Sequence, residues 1–178
     1  MAKGNGETLA IVLGCIDYRT QRPLDRFLRS IELRRAYDAT LLPGASLAGT
    51  FRWPKETFAD RWWMTVQDII QASITLHSVQ RLIIVDHLDC GAYRLAYSNG
   101  NSMPLEEEYL LHAQHLQEMR IATNRAHPEL VVETYLMNVG GAVRPLMNSP
   151  EEQRTGRPDY GSLRRWEAHV TPIYAPRR

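Results

Sequence analysis

The chain has 178 residues, 44% of them hydrophobic and 23% charged, the composition of an ordinary soluble domain. Lys and Arg number 21 against 20 Asp and Glu, and a net charge of +1 offers no basic face for nucleic acid or for a membrane surface. The longest apolar run, residues 9–13, falls far short of the roughly 18 residues that a membrane span needs, and the polar residues 1–7 show no signal peptide.

One domain is expected over residues 1–178, with its core at about 8–147. Residues 9–13 form a short continuous apolar run ending at Gly14, the pattern of a strand buried on both faces. Residues 23–37 place Leu24, Phe27, Leu28 and Ile31 on one helical stripe, with Pro23 suited to the first turn. Residues 39–42 predict a second strand, stopped by Pro43 and Gly44. A polar and aromatic stretch holding Trp53 and Pro54 leads into a helix over 59–78, with Trp63, Val66, Ile70, Ile74 and His77 on one face. Residues 81–86 are the clearest strand. Asn101, Ser102 and Pro104, followed by Glu106, Glu107 and Glu108, open a helix that runs to Ala126, because acids favour the positive end of the helix dipole. Residues 130–138 read as a fourth strand, ended by Gly140 and Gly141. Residues 149–178, rich in Pro, Arg and Gly, read as an extended tail packed on the domain or on a second subunit.

Strands alternating with helices predict an α/β fold, a mostly parallel central sheet with helices on both faces. Ligands of such sheets bind beyond the carboxyl ends of the strands, where the winding direction switches. Two reactive clusters fall there. Cys15-Ile16-Asp17-Tyr18-Arg19 follows the first strand, and His87-Leu88-Asp89-Cys90-Gly91 follows the third. Two cysteines are too few for a secreted disulfide scaffold, which leaves inert thiols, ligands or nucleophiles. Two thiolates and an imidazole suit tetrahedral Zn²⁺, and three protein ligands with an open fourth position make a catalytic rather than a structural site.

The pair of motifs, Cys-x-Asp-x-Arg and then His-x-x-Cys about 70 residues later, resembles the signature of the β-class carbonic anhydrases. The resemblance extends over about residues 8–147, through Ala72-Ser73-Ile74, the strand at 81–85, Asp89-Cys90-Gly91-Ala92 and the late strand from Glu133 to the glycine pair. It implies Zn²⁺ held by Cys15, His87 and Cys90, with Asp17 orienting a zinc-bound hydroxide and Arg19 holding Asp17 through a two-pronged hydrogen bond. The implied reaction is reversible hydration of carbon dioxide to bicarbonate. Relatives of the fold hydrolyse carbonyl sulfide or carbon disulfide at the same kind of site, and a non-catalytic zinc-binding relative is a third reading. The family also implies a homodimer or higher homo-oligomer, and the reduced-type cysteines imply a cytoplasmic setting.

Three departures from the family pattern stand near the expected substrate pocket. Asp86 replaces the glycine common before the ligand histidine. Residues 42–47 stand where many members read Arg-Asn-Ala-Gly. The segment with Trp53, Trp62 and Trp63 has no family equivalent, and core or dimer packing is its expected role. His112 and His115, three apart on the Glu-rich helix, share a face with Glu108, where a solvated face or an interface is expected ahead of a second metal site.

Overall fold

The computed structural model describes residues 8–50 and 56–146, without the side chains of 56–60. Its elements run β1 (Ala10–Cys15), a 3₁₀ turn (Tyr18–Thr20), α1 (Gln21–Ser30), β2 (Tyr37–Leu42), α2 (Glu56–His77), β3 (Arg81–His87), α3 (Gly91–Tyr97), α4 (Leu105–Ala126), β4 (Val131–Met137) and β5 (Val143–Pro145). The strands form one sheet in the order β2-β1-β3-β4-β5. The first four are parallel, with Cys15 beside Leu42, Ile11 beside Leu82 and His87 beside Met137; β5 alone runs antiparallel, pairing Val143 with Met137.

Period-two alternation in the apolar strands assigns their side chains to two cores. Ile11, Leu13, Leu82 and Ile84 pack against Val66 and Ile70 of α2 and Leu116 and Met119 of α4. On the opposite face Ala10, Val12, Ile83 and Val85 meet Leu24 and Leu28 of α1. All of β1 is buried, as its unbroken apolar run requires. From β1 the chain winds one way to β2 and then returns past β1 to β3. The switch point therefore lies between β1 and β3, the two strands whose carboxyl ends carry the reactive motifs.

Several boundaries differ from those read in the sequence. The first helix ends at Ser30 rather than near Tyr37, because Glu32 and Arg35 take left-handed backbone angles (φ 67° and 57°) while Leu33 turns into the core. The Glu-rich helix starts at Leu105, just after Pro104, with Glu106, Glu107 and Glu108 in its first turn. Neither α3 nor β5 is legible in the sequence, because each is shorter than the window in which periodicity shows. The tail at 149–178 and Trp53 lie outside the described residues. Trp62 and Trp63 are half-buried on α2.

Candidate metal centre

Cys15 ends β1, His87 ends β3, and Cys90 caps the amino end of α3 after a tight turn. That turn depends on Asp89, which adopts φ 57°, a left-handed conformation that Asp tolerates better than most residues. The result is convergence. One donor atom each from Cys15, His87 and Cys90 lies within 4.8 Å of the others, and all three residues are buried. Among the described residues this is the one such cluster of three.

The donor set fits zinc on three counts. The sulfurs stand 3.9 Å apart, and two thiolates on one tetrahedral zinc, each about 2.3 Å from it, stand about 3.8 Å apart. His87 donates from Nδ1 to the Leu88 carbonyl at 2.9 Å, which makes Nε2 the lone-pair nitrogen and fixes the ring. That Nε2 is buried without a hydrogen-bond partner among the described residues, a costly state for a nitrogen that nothing ligates. Both cysteines are free thiols. Their mutual hydrogen bond is the strongest influence on either, lowering the Cys15 pKa and raising that of Cys90; burial opposes ionisation of both, and His87 favours it at Cys15. A divalent cation supplies the field that ionises both.

Cys15 also receives a backbone hydrogen bond from Gly44 N–H at 3.3 Å. Gly44 has φ +70°, and a Cβ there would stand 3.0 Å from Leu47 and 3.2 Å from Ala92, so only glycine brings its amide this close to the sulfur.

Beside the donors, Asp17 caps the 3₁₀ turn by accepting from the Arg19 amide at 3.0 Å. The Arg19 guanidinium returns to the same carboxylate, with Nε 3.0 Å from Oδ1 and Nη2 2.7 Å from Oδ2. Burial pushes the Asp17 carboxyl up, but the Arg19 side chain and amide outweigh it and hold the pKa below the usual carboxylate value. Asp17 Oδ2 lies 3.9 Å from His87 Nε2, so the carboxylate stands at the edge of the donor cluster while remaining bound to arginine. Sequence reasoning gave Asp89 no role, yet it completes this arrangement. Its carboxylate takes Arg19 Nη1 at 2.6 Å and Arg94 Nη1 at 2.7 Å, and its carbonyl takes Arg19 Nη2 at 2.8 Å. Its position between His87 and Cys90 was the available signal. The site opens into a cavity of about 520 Å³ whose walls include Ile16, Tyr18, Pro43, Ala92 and Leu95; neither Trp62 nor Trp63 lines it.

The expectation for the Glu-rich helix needs correction. His112 and His115 are fully buried, not on a solvated face. His112 Nδ1 meets Asp86 Oδ2 at 2.8 Å, and His115 lies between the hydroxyls of Tyr93 (3.0 Å) and Tyr97 (2.8 Å). Asp86 and residues 42–47, two of the departures from the family pattern, turn out to touch. Asp86 Oδ1 accepts from Ser46 N–H at 3.0 Å, and the Ser46 hydroxyl donates to Oδ2.

A parallel sheet with two thiols and an imidazole gathered at its switch point is an α/β architecture of the β-carbonic-anhydrase kind. The structure is similar to that of the β-carbonic anhydrase CafA of Aspergillus fumigatus, with a TM-score of 0.51 over 93% of this chain and 84% of that one; at 14% identity the likeness is one of fold. Residues 5–143 match the family described as "Putative carbonic anhydrase", and the chain belongs to that family. Two curated relatives come from Rickettsia. An uncharacterized protein of Rickettsia conorii is 30% identical over 144 residues, covering 81% of this chain and 75% of its own. Another, of Rickettsia bellii, is 29% identical over 140 residues, covering 79% of this chain and 82% of its own.

Proposed function

We propose that the chain is a zinc-dependent carbonic anhydrase that interconverts carbon dioxide and bicarbonate, with Cys15, His87 and Cys90 as ligands and Asp17 and Arg19 as the working pair beside them. The observation that carries this reading is the convergence of three buried donors, one of them an unpartnered imidazole nitrogen, next to an arginine-held carboxylate. Three protein donors are the complement of a catalytic zinc. Bound there, zinc supplies the Lewis acidity that lets water ionise near pH 7.

The chain's own residues do the rest. Asp17, kept ionised by Arg19, accepts a hydrogen bond at the edge of the donor cluster and so turns the attacking lone pair toward the substrate carbon. Arg19 stops that carboxylate from swinging onto the cluster, and Asp89, braced by Arg94, keeps Arg19 in place. The apolar walls of the cavity admit a small uncharged linear molecule without competing for it through hydrogen bonds. Ile16 and Tyr18 at its mouth are 55% and 77% exposed, which supports a homo-oligomer whose second copy covers them. Two free thiols fit the reducing cytoplasm. No helix among the described residues is long and apolar enough to cross a membrane.

Stopped-flow hydration of carbon dioxide, on protein of measured zinc content, tests the reading. Fast hydration with about one zinc per chain is expected. Full zinc with sulfide release from carbonyl sulfide or carbon disulfide, but no hydration, would move the protein to the sulfur substrates. Full zinc without turnover would make it a non-catalytic binder, and failure to bind zinc would overturn the reading.

A further inference from the structure

Behind the donor cluster lies a buried set of charged groups that the proposed reaction does not use. Asp86 and His112 have no exposed side-chain surface, and Glu108 is almost as buried. One His112 nitrogen meets Asp86 at 2.8 Å, and the other faces Glu108 Oε1 at 3.8 Å. The imidazole lies against the Tyr93 ring, with centroids 3.8 Å apart, and Tyr93 itself donates to Asp86 at 2.9 Å. Burial alone would strip His112 of its second proton; the two carboxylates outweigh it and hold the pKa above the ordinary imidazole value.

Each carboxylate is tied toward a different cysteine. Glu108 Oε1 accepts the backbone N–H of Cys90 at 3.1 Å. Asp86 accepts the N–H and the hydroxyl of Ser46, in the loop whose Gly44 N–H donates to Cys15 Sγ. One buried imidazole thus spans two carboxylates, one fastened to the loop beside Cys15 and the other to the backbone of Cys90. Without that imidazole the two carboxylates would face each other with no group between them in a poorly screened interior, and the loops they hold would lose their common anchor.

We infer that His112 is a positioning residue for the metal centre, joining Asp86 to Glu108 so that the loops bearing on Cys15 and Cys90 stay at ligating separation. It touches neither metal nor substrate. The inference rests on the metal reading above.

The test compares the full-length chain with H112Q on two readouts. One is zinc affinity, by competition with a chromophoric chelator; the other is the absorption spectrum of the cobalt-substituted protein, whose thiolate charge-transfer and d–d bands report donor geometry. H112Q, shown to be folded by circular dichroism, should bind zinc 10- to 100-fold more weakly, with shifted cobalt bands. A purely architectural histidine would lower global stability and leave the bands where they are. Folded H112Q with wild-type affinity and an unchanged spectrum would overturn the inference and leave the metal centre standing. A wild-type chain that takes up no zinc would overturn both. Should H112Q fail to fold, E108Q decides on the same readouts, since its amide oxygen still accepts from Cys90 while its charge is gone. Weaker binding with shifted bands supports the inference, and unchanged values overturn it.

Discussion

The two sides of the β3 terminus handle charge in opposite ways. In front, Asp17, Arg19, Asp89 and Arg94 form a linked row that solvent reaches, with side-chain exposures of 16%, 33%, 42% and 31%. Behind, one residue before His87, Asp86 and His112 are both 0% exposed. Water screens the front row, so each of its pairs contributes little to stability, on the order of 1 kcal/mol or less; in the proposed function its value lies in orienting a reacting group. The rear pair has no water to replace a lost partner, so its integrity is a matter of folding first.

That contrast can be broken most severely at the proposed metal ligands. Cys15→Ser removes a thiolate that no neighbour can supply, and zinc content by mass spectrometry should fall from about one per chain to near none, with hydration abolished. Asp17→Asn is the front-row test. Zinc content should persist and unfolding free energy should change by no more than about 1 kcal/mol, while kcat for hydration drops on the order of 100-fold. Asp86→Asn moves the main loss to the fold. It keeps every proposed ligand and the Asp17–Arg19 pair, but urea denaturation should show a loss of about 3–5 kcal/mol, because the buried His112 loses its nearer carboxylate and keeps only the more distant Glu108.

The smallest effect is expected at a pair on the sheet, remote from both. Arg81 Nε meets Glu133 Oε1 at 2.8 Å, and Tyr135 donates to the other oxygen of Glu133 at 2.8 Å. Burial pushes the Glu133 carboxyl up, but these two partners outweigh it and its pKa stands below the ordinary value. A folded-state pKa below the unfolded one means that the stabilisation is present above about pH 4.3 and is lost as pH falls through the lower, folded value. Glu133→Gln should therefore cost under about 1 kcal/mol at pH 7, and its stability should converge with wild type in acid, as urea titrations across pH would record.

The same contrast explains what could be read in the sequence. Most of the front comes from two contiguous motifs placed after strands, so residue type, spacing and the switch-point rule point to Cys15, His87 and Cys90, and the family resemblance adds Asp17 and Arg19. The strand cores were legible for a related reason, since 9–13 and 82–85 carry unbroken apolar runs that only a doubly covered sheet can bury. The rear cluster was not legible. Asp86 lies 26 residues from His112 and 40 from Ser46. Nothing local distinguishes a histidine on a Glu-rich helix that faces solvent from one that faces a buried aspartate. Asp86 did stand out as a departure from the family pattern, but its meaning lay in another departure, at Ser46, that only the fold brings beside it.

Cys15 and His87 end the two central strands and Cys90 follows three residues on, which should separate the fate of a bound ion from the fate of the fold. Both strands are paired on either side and packed beneath helices by apolar contacts that owe nothing to metal. Small zinc modules unravel when chelated because the ion is their core. Here chelation should yield an apoprotein with unaltered circular dichroism, whose amide hydrogens at Val12, Leu13, Ile83 and Ile84 still exchange with deuterium last of all. Added zinc should then restore the centre at the pace of binding rather than of refolding, so that metal supply decides how many copies are competent at any moment.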